Sequence, residues 1–355
     1  MYEPREHDVQ LDLTSHPSWT PLERQPQAER LLQERQGLPG WHKKRHGKMT
    51  GSKWPPFVGY HFSYRDSHST TCSKIRSERD KLVAEMETPY DAATAAAKEE
   101  FDERALFNMA HGSRHEIDAL ATLLTQRPTL RLRETVLECL EGNEFFCSSQ
   151  DAAGVDVQGR RVSCEFKCPA PKRDAKTGEL TDPVPYDSVK DYYVLQCLAH
   201  MEVEKSDYCF FVSWTPTNGT RIWTIRRCPE LWALAVDYMS KLITFDESFE
   251  QDETLWQAAK QLRQGCTDIV KQATALRQGS TFPSCFATRP RAVEARAVSF
   301  SAQETESLKR DLDAVAATET ATTLETGGEA EAESSSRKKR ARTTSTLHAA
   351  PSVAQ

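Results

Sequence analysis

The sequence has no hydrophobic run long enough to cross a membrane. No stretch of its 355 residues approaches the roughly 18 consecutive apolar residues of a transmembrane helix, so we expect no membrane partner. Residues 1–8 are rich in charge and precede no apolar run, which predicts that a secretory signal is absent. The formal net charge of −6 does not exclude a nucleic-acid ligand, because the local distribution of charge matters more than its sum.

Aromatic residues are missing from the end of the chain. Residues 301–355 contain no Phe, Tyr or Trp and are dominated by Ala, Thr, Glu and Ser. Such a segment buries too little apolar surface to offset its ordering entropy, so a disordered tail is predicted over residues 281–355. Inside it, the basic cluster 337–342 indicates a nuclear-localisation signal and hence a nuclear protein. If the cluster is only a solvated run of charge, we expect the cytoplasm instead.

Paired cysteine motifs are also missing. The chain has ten cysteines but no two CxxC-like pairs, which favours reduced thiols over a disulfide framework. A zinc module built from Cys147, Cys164 and Cys168 is the alternative, and it lacks the second pair that such modules use.

The chain does contain enough apolar material for a sizeable core, with 38% hydrophobic residues, 7 Trp, 14 Phe and 9 Tyr. We expect a flexible N-terminal arm over residues 1–38 and one folded domain over residues 39–280. Helical and strand-like patterns occur in mixed order, which is typical of the α/β class with a central mixed β-sheet flanked by helices. The predicted helices are Glu29–Gln36, Thr71–Ala97, Phe101–Thr125, Ser188–Val203, Pro229–Leu242 and Asp252–Leu276. The predicted strands are Thr135–Leu140, Glu144–Cys147, Gly154–Val157, Arg161–Cys168, Tyr208–Trp214 and Arg221–Arg226.

The predicted strand 162–168 carries the most informative pattern. Its alternation puts Glu165 and Lys167 on one face and Cys164, Phe166 and Cys168 on the other, apolar face. A buried carboxylate beside a buried ammonium is costly and needs a reason. A divalent cation that bridges Glu165 and an upstream aspartate supplies one, because Mg²⁺ needs only one or two protein carboxylates. The alternative is a plain salt bridge on the strand.

Three further segments carry groups suited to the same chemistry. Residues 41–53 hold five Lys or Arg, two His and no acid, and there Arg45 and Ser52 suit phosphate oxygens. Gly112 lies within a helical pattern, where glycine costs about 1 kcal/mol relative to Ala, so we expect another backbone to approach it and Glu116 to share its face. Gln196, in a nearly apolar helix, suits a catalytic water or a phosphate. A solvated basic loop and an ordinary polar helix residue are the alternatives.

Taken in chain order, these motifs resemble the YqaJ-type viral recombinase family. This is a lambda-exonuclease-like group within the PD-(D/E)xK, restriction-endonuclease-like nucleases. The resemblance covers Gly40 to Val203. Each motif is weak alone, but five in this order with plausible gaps are a strong signal. The motifs are Trp-His-x-x-Arg-x-Gly-x-x-Thr-Gly-Ser from Trp41, Gly-x-x-x-Glu from Gly112, Ser-x-Asp from Ser149, Glu-x-Lys-Cys-Pro from Glu165 and Tyr-x-x-Gln from Tyr193.

The resemblance implies a restriction-endonuclease-like core and a nuclease domain over residues 39–280. It implies that Asp151 and Glu165 hold the metal, with the Phe166 backbone carbonyl as a further ligand and Glu116 bound through water. Lys167 would then position or activate the attacking water and stabilise the charge that develops on the phosphate.

The resemblance also implies roles outside the metal ligands. Gln196 would assist at the nucleophile, Arg45 and Ser52 would bind the phosphate at the 5′ end, and Ser149 would be a further phosphate contact.

Two departures from the family pattern concern the metal ligands. Where the family usually has Pro-Asp-Gly, this chain has Gln150, Asp151 and Ala152, and alanine lacks the turn freedom of glycine. Asp156 also competes for the ligand role, since it lies nine residues before Glu165 whereas Asp151 lies fourteen before it. We prefer Asp151, because it follows a Ser-x-Asp pattern at a strand end, and Asp156 falls inside a hairpin.

The expected activity is metal-dependent hydrolysis of DNA phosphodiester bonds, with Mg²⁺ as the cofactor and Mn²⁺ as a substitute. The resemblance implies a 5′-to-3′ exonuclease acting on double-stranded DNA, in recombination, repair or the processing of viral or mobile-element DNA. It also implies a homo-oligomer, a trimer by family analogy, and a single-strand annealing protein as partner. The alternatives are an endonuclease, flap nuclease or RNA nuclease of the same fold, and an inactive DNA-binding or assembly protein.

Overall fold

A seven-stranded mixed sheet organises the described part of the computed structural model, which comprises residues 13, 16–60, 67–91, 103–174, 176–244 and 251–275. These residues all lie in one unit that spans residues 3–296. The strands are β1 (Trp19–Thr20), β2 (Met49–Thr50), β3 (Arg131–Arg133), β4 (Glu138–Leu140), β5 (Asn143–Ser148), β6 (Ala152–Val155), β7 (Arg161–Lys167), β8 (Lys172–Arg173), β9 (Leu180–Thr181), β10 (Tyr208–Thr215), β11 (Gly219–Arg226) and β12 (Thr274–Ala275). The helices are α1 (Ala28–Gln33), α2 (Pro39–Arg45), α3 (Trp54–Phe57), α4 (His68–Glu87), α5 (Glu103–Gln126), α6 (Val194–Glu204), α7 (Pro229–Ile243) and α8 (Asp252–Gln272).

The strand order of the central sheet is β1-β3-β6-β7-β10-β11-β12. Strand β7 pairs antiparallel with β6 and parallel with β10, and β10 continues antiparallel into β11. The hairpin predicted around the Gln158-Gly159 turn is therefore present, since β6 and β7 are its arms. The predicted α/β class with a central mixed sheet flanked by helices is confirmed.

Side-chain alternation on β7 assigns its two faces to two cores. Val162, Cys164 and Phe166 pack in a cluster with residues of α5 such as Leu123. The opposite face meets α6, which packs against β7 and β10 from the other side of the sheet. Helices α3, α7 and α8 contact α6, and nearly all of its side chains are buried. As the alternation predicts, Glu165 therefore points away from the α5 core and toward α6.

A second, three-stranded sheet has the order β2-β5-β4. Strand β2 runs parallel to β5, with Thr50 opposite Cys147, and this pairing brings the basic segment 41–53 beside residues 148–151. Cys139 on β4 lies opposite Cys147 on β5, and the two form a disulfide. The expectation of thiols alone is wrong for this pair, because antiparallel pairing places the two side chains within bonding reach.

Residues 16–38 fold onto the sheet, although the sequence predicts a flexible arm over residues 1–38. Trp19 and Thr20 pair parallel with β3, and Leu22 and Leu31 pack against Val136. Glu134 accepts a hydrogen bond from the Leu22 N–H. Long-range pairing of this kind leaves no periodic pattern in a short polar segment, so composition alone misjudges it.

Several predictions lie outside the described residues. These are the tail 281–355, the basic cluster 337–342, most of the first 15 residues and the segment 92–100 at the end of the predicted helix Thr71–Ala97. Among the helices that the structure describes, none combines the length and the apolar character that a membrane crossing requires.

Candidate active site

Glu165 and Lys167 lie side by side near the end of β7 and face a cleft of about 1270 Å³. The Glu165 side chain is 2% exposed and forms an ion pair with the Lys167 ammonium. The ammonium also lies 4.8 Å from the centre of the Tyr193 ring, a cation–π contact. The predicted carboxylate and ammonium pair is therefore present, and it opens into a cleft rather than onto bulk solvent.

Helix α6 supplies a hydrogen bond to each oxygen of the Glu165 carboxylate. Gln196 Nε2 donates to Oε1 at 2.8 Å, and His200 Nε2 lies 2.7 Å from Oε2. Since an ionised carboxylate only accepts, His200 carries a proton on Nε2, and its Nδ1 lies 2.5 Å from the Ser148 hydroxyl. Gln196 thus holds Glu165, whereas the sequence assigned it to the nucleophile.

Asp151, the residue just before β6, also lines the cleft. The β6–β7 ladder ends at the pair Ala152 and Cys164, and Asp151 continues it by donating its N–H to the Cys164 carbonyl at 3.2 Å. The Asp151 carboxylate accepts the Phe166 N–H at 2.5 Å. Because the N–H and C=O of one strand residue point to the same edge, the Phe166 carbonyl is also directed to the Asp151 side.

Glu116 reaches the same cleft from α5, on the opposite side of the sheet from α6. The expected close backbone approach at Gly112 is wrong: a Cβ there would meet nothing within 4 Å, and the residue lines the cleft. Gly51, which also lines the cleft, is closely approached by side chains of α6: a Cβ there would lie 3.2 Å from Gln196 Cγ and 3.5 Å from His200 Cε1. Open space at Gly112 lets a ligand approach the helix beside Glu116.

One cluster in the cleft brings three carboxylates, those of Glu116, Asp151 and Glu165, beside the single ammonium of Lys167, and the pKa values of these groups reflect the local excess of negative charge. Burial and the charges of Glu165 and Glu116 raise the pKa of Asp151 well above its usual range. Burial and the Glu165 charge likewise raise the pKa of Glu116. Burial alone would also raise the pKa of Glu165, but the Lys167 charge and the His200 hydrogen bond lower it. Although burial opposes the charge of Lys167, Glu165 and Asp151 raise the pKa of this ammonium.

This donor set fits a hard divalent cation. Carboxylate and carbonyl oxygens are the ligands that Mg²⁺ prefers, and added positive charge would relieve the repulsion that raises the pKa of Asp151 and Glu116. In the described ranges, no three or more His, Cys, Asp or Glu side chains are placed to hold a metal among themselves. A cation here therefore needs backbone and water oxygens besides the carboxylates. The zinc alternative is not supported, because Cys164 is buried in the apolar core and Cys147 is in the disulfide.

Asp156, the competing ligand candidate, is used elsewhere. Its carboxylate pairs with Arg160 at 2.7 Å and accepts the Tyr208 hydroxyl at 3.0 Å. It also accepts the N–H groups of Gln158 and Arg160, which closes the hairpin turn. Asp156 is a turn residue that does not line the cleft, while Asp151 does.

The three predicted phosphate contacts, Arg45, Ser52 and Ser149, also line the cleft. Arg45 donates to the Ser52 hydroxyl at 3.3 Å, and its guanidinium lies 4.7 Å from the centre of the Trp41 ring. The Ser149 hydroxyl is buried and has no hydrogen-bond partner among the described residues. A buried hydroxyl without a partner is unusual in a native fold, and an anion in the cleft would satisfy it.

Sequence reasoning missed His200, although it binds Glu165 and Ser148 and is 1% exposed. The one available signal was its spacing of four residues from Gln196, which places both side chains on the same helix face. A histidine in an apolar helix is ordinarily read as a core residue, and its partners come from segments distant in sequence.

Residues 40–208 match the model of the YqaJ-like viral recombinase domain. In sequence, no curated protein is significantly similar to the chain. Among solved structures, the chain is similar to the alkaline exonuclease LHK-Exo from Laribacter hongkongensis, at 17% identity over 65% of this chain and 98% of that chain, with a TM-score of 0.38. A complex of LHK-Exo with dAMP gives the same identity and coverage and a TM-score of 0.39.

A phage-related exonuclease from Haemophilus somnus 129PT is similar at 13% identity, over 62% of this chain and 96% of that chain, with a TM-score of 0.36. The family model begins at residue 40, where the resemblance begins, and ends five residues beyond Val203, where the resemblance ends. Residues 40–208 of this chain are a YqaJ-like viral recombinase domain.

Proposed function

We propose that the protein is a metal-dependent deoxyribonuclease that digests double-stranded DNA from the 5′ end. The observation that carries this proposal is the convergence of Glu116, Asp151, Glu165 and Lys167 from separate segments into one cleft. The YqaJ-like domain supports nuclease action on DNA in general. The excess of carboxylates over ammonium groups among these four residues supports the requirement for a divalent cation, with Mg²⁺ as the physiological ion and Mn²⁺ as a substitute.

In this proposal Asp151, Glu165 and the Phe166 carbonyl would hold the cation, and Glu116 would contact it through water. The chemistry that such a cation supplies, when bound, is polarisation of the phosphate and a lowered pKa of coordinated water. Gln196 and His200 keep the Glu165 carboxylate in one orientation by binding both of its oxygens. Preorganised groups of this kind need no rearrangement as the reaction proceeds.

Lys167 stabilises the negative charge that develops on the scissile phosphate. Glu165 and Asp151 raise the pKa of its ammonium, so Lys167 stays protonated and acts as a fixed positive charge and hydrogen-bond donor. A protonated lysine cannot remove a proton from water. Of the two roles the sequence left open for Lys167, we therefore favour positioning and charge stabilisation over activation as a base.

The 5′ polarity is supported by two sets of groups that line the same cleft. Arg45, Ser52 and Ser149 have hydrogen-bond donors for an anion, and the carboxylate oxygens can serve as ligands of a cation. A terminal 5′ phosphate bound by the donors would place a nearby phosphodiester bond among the carboxylates.

The decisive experiment uses the full chain, Mg²⁺, and linear duplexes labelled separately at each 5′ and each 3′ terminus. We expect rapid release of the 5′ label, an intact closed circular duplex, and no reaction in EDTA. Cleavage of the circle would favour an endonuclease, and binding without hydrolysis would favour an inactive DNA-binding protein.

Three further proposals concern the location of the protein, its oligomeric state and a protein partner. The basic cluster 337–342, outside the described residues, supports a nuclear location, which fluorescent fusions with and without the cluster test directly. The family resemblance supports a homo-oligomer and a single-strand annealing protein as partner. Light scattering and co-purification with such a protein test these two interactions.

A further inference from the structure

Helix α6 carries three buried polar side chains along one line. Gln196, His200 and Glu204 follow at intervals of four residues and are 9%, 1% and 4% exposed. Together they span about 12 Å of helix. Polar groups buried in an apolar setting are costly unless each is hydrogen-bonded, so the partners of this stripe indicate what it is for.

The first two members of the stripe hold Glu165, as described above. The third holds a different segment. Glu204 Oε1 accepts the side-chain amide of Gln150 at 2.5 Å, and Gln150 itself is 1% exposed. The Gln150 carbonyl accepts the hydroxyl of Thr135, so both the side chain and the backbone of residue 150 are fixed.

Gln150 is the residue immediately before Asp151. The Asp151 N–H donates to the Cys164 carbonyl, and its carboxylate accepts the Phe166 N–H. The short connection between β5 and β6 is thus held by Glu204 on one side and by β7 on the other. Any shift of Gln150 would move the backbone that carries the Asp151 carboxylate.

Glu204 is itself held firmly. Arg133 donates to both of its oxygens, at 2.7 and 3.0 Å, and Arg161 lies 3.6 Å from Oε2. Both hydrogen bonds come from Arg133 Nη2, so a cation contacts both carboxylate oxygens and restricts the orientation of the carboxylate as well as neutralising its charge. The acceptor that binds Gln150 therefore has one defined position.

We propose that Glu204 is a positioning residue, which acts through Gln150 to set the place of Asp151 relative to Glu165. One face of helix α6 then fixes the separation of the two carboxylates, since Gln196 and His200 hold Glu165 and Glu204 holds the Asp151 segment. This inference rests on the proposed function, in which the two carboxylates hold a cation together.

The test measures binding of Mn²⁺ alone to the full chain, by the loss of the EPR signal of free Mn²⁺. Glu204→Ala and Gln150→Ala remove the same hydrogen bond from its two ends. We expect each variant to bind Mn²⁺ about 10- to 100-fold more weakly, the range typical of residues that orient metal ligands. The double variant should be no weaker than the single ones, because both act through one bond. Glu204→Gln keeps an oxygen acceptor for Gln150 and should stay within about threefold of the wild type.

Glu202→Ala is the matched control. Glu202 lies on the same helix, is 8% exposed and pairs with Arg227 at 2.5 Å, so the variant also loses a buried ion pair. It should keep wild-type Mn²⁺ affinity. If Glu204→Ala does not fold, Gln150→Ala provides the same test.

Wild-type affinity in Glu204→Ala or Gln150→Ala, or losses that multiply in the double variant, would overturn the inference. A loss in Glu204→Gln as large as that in Glu204→Ala would overturn it as well. If the wild type neither binds Mn²⁺ nor cuts DNA, the proposed function fails first. If the wild type does both and the variants match Glu202→Ala, only the positioning role fails.

Discussion

A buried carboxylate lies near each end of helix α6, Glu165 beside its first turn and Glu204 at its last residue. The environments of these two carboxylates differ in their balance of charge. Near Gln196, Glu165 shares the cleft with Asp151 and Glu116, and the neighbouring ammonium is that of Lys167. At the other end, the two guanidinium groups of Arg133 and Arg161 balance two carboxylates, those of Glu204 and Glu138.

The difference shows what each end contributes to the molecule. The Glu204 end is compensated within the protein, as expected where buried charge serves the fold. The cleft end retains a negative excess that raises the pKa of Asp151 and Glu116, and natural proteins accept such conflicts chiefly at functional sites. Removing a charge at the cleft end should therefore lower activity with little loss of stability, whereas removing a compensating charge at the Glu204 end should lower stability.

The largest effect is expected from Lys167→Ala. Loss of a preorganised donor at a developing negative charge lowers turnover by at least about 100-fold, so digestion of linear duplex should nearly cease. Circular dichroism and metal-free DNA binding should stay unchanged. Lys205→Ala is the control, since Lys205 is an exposed lysine that pairs with Glu141. Digestion by Lys167→Ala at the wild-type rate would remove Lys167 from the active site.

Asp151→Asn should separate activity from stability. The amide oxygen can still accept the Phe166 N–H, while the charge that Glu165 and Glu116 oppose is gone. We expect DNA digestion to be lost and the free energy of unfolding, measured by urea in EDTA at pH 8, to stay equal or rise. Destabilisation by more than about 1 kcal/mol would mean that the Asp151 charge supports the fold.

Arg133→Met should have the opposite effect at the other end of the helix. In the variant Glu204 keeps its contact with Arg161. Because Arg161 lies 3.6 Å from Glu204 Oε2, it compensates the carboxylate charge only in part. Loss of hydrogen bonds to a buried carboxylate costs about 1.5–3 kcal/mol, and urea denaturation measures it. Unchanged stability would contradict the contrast between the two ends.

Arg45→Ala tests the phosphate end of the cleft. A charged hydrogen bond to a terminal phosphate is worth about a factor of ten, so digestion should slow about tenfold on 5′-phosphorylated ends and less on unphosphorylated ends. Lys43→Ala, an exposed neighbour on the same helix, is the control. Equal slowing on both kinds of end would argue against binding of the 5′ phosphate by Arg45.

The smallest effect concerns His111, outside the carboxylate cluster. Burial and the neighbouring His115 lower the pKa of His111 to about 4. The unfolded chain therefore binds a proton between about pH 6.5 and 4 that the folded chain does not, so stability falls as pH falls through this window. His111→Gln should flatten this dependence in urea denaturation at a series of pH values. An unchanged slope would show that His111 titrates normally in the fold.

Local patterns predicted the parts of the site that a single strand or turn determines. Alternation on β7 placed Glu165 and Lys167 on one face, and the hairpin position of Asp156 favoured Asp151 as the residue in the cleft. These features depend on near neighbours in sequence, so local sequence patterns are enough to predict them.

The parts that could not be predicted depend on tertiary partners. Glu204 and His200 lie in a helix that contacts α3, α7, α8 and strands of two sheets, and no periodicity identifies which buried polar residue meets which segment. Gly112 was misjudged for the same reason, since only the fold shows that its face borders open space. The disulfide of Cys139 and Cys147 depends on the register of β4 and β5, which composition does not reveal.

The outermost strands of the central sheet have a consequence for self-association. Strands β1 and β12 are two residues long each, so within the described residues neither border exposes a long row of unpaired backbone groups. Short borders are one means by which natural proteins prevent strand-by-strand aggregation. Copies of this chain that assemble should therefore dock through helices or loops, and the sheet of one copy should not be extended by another.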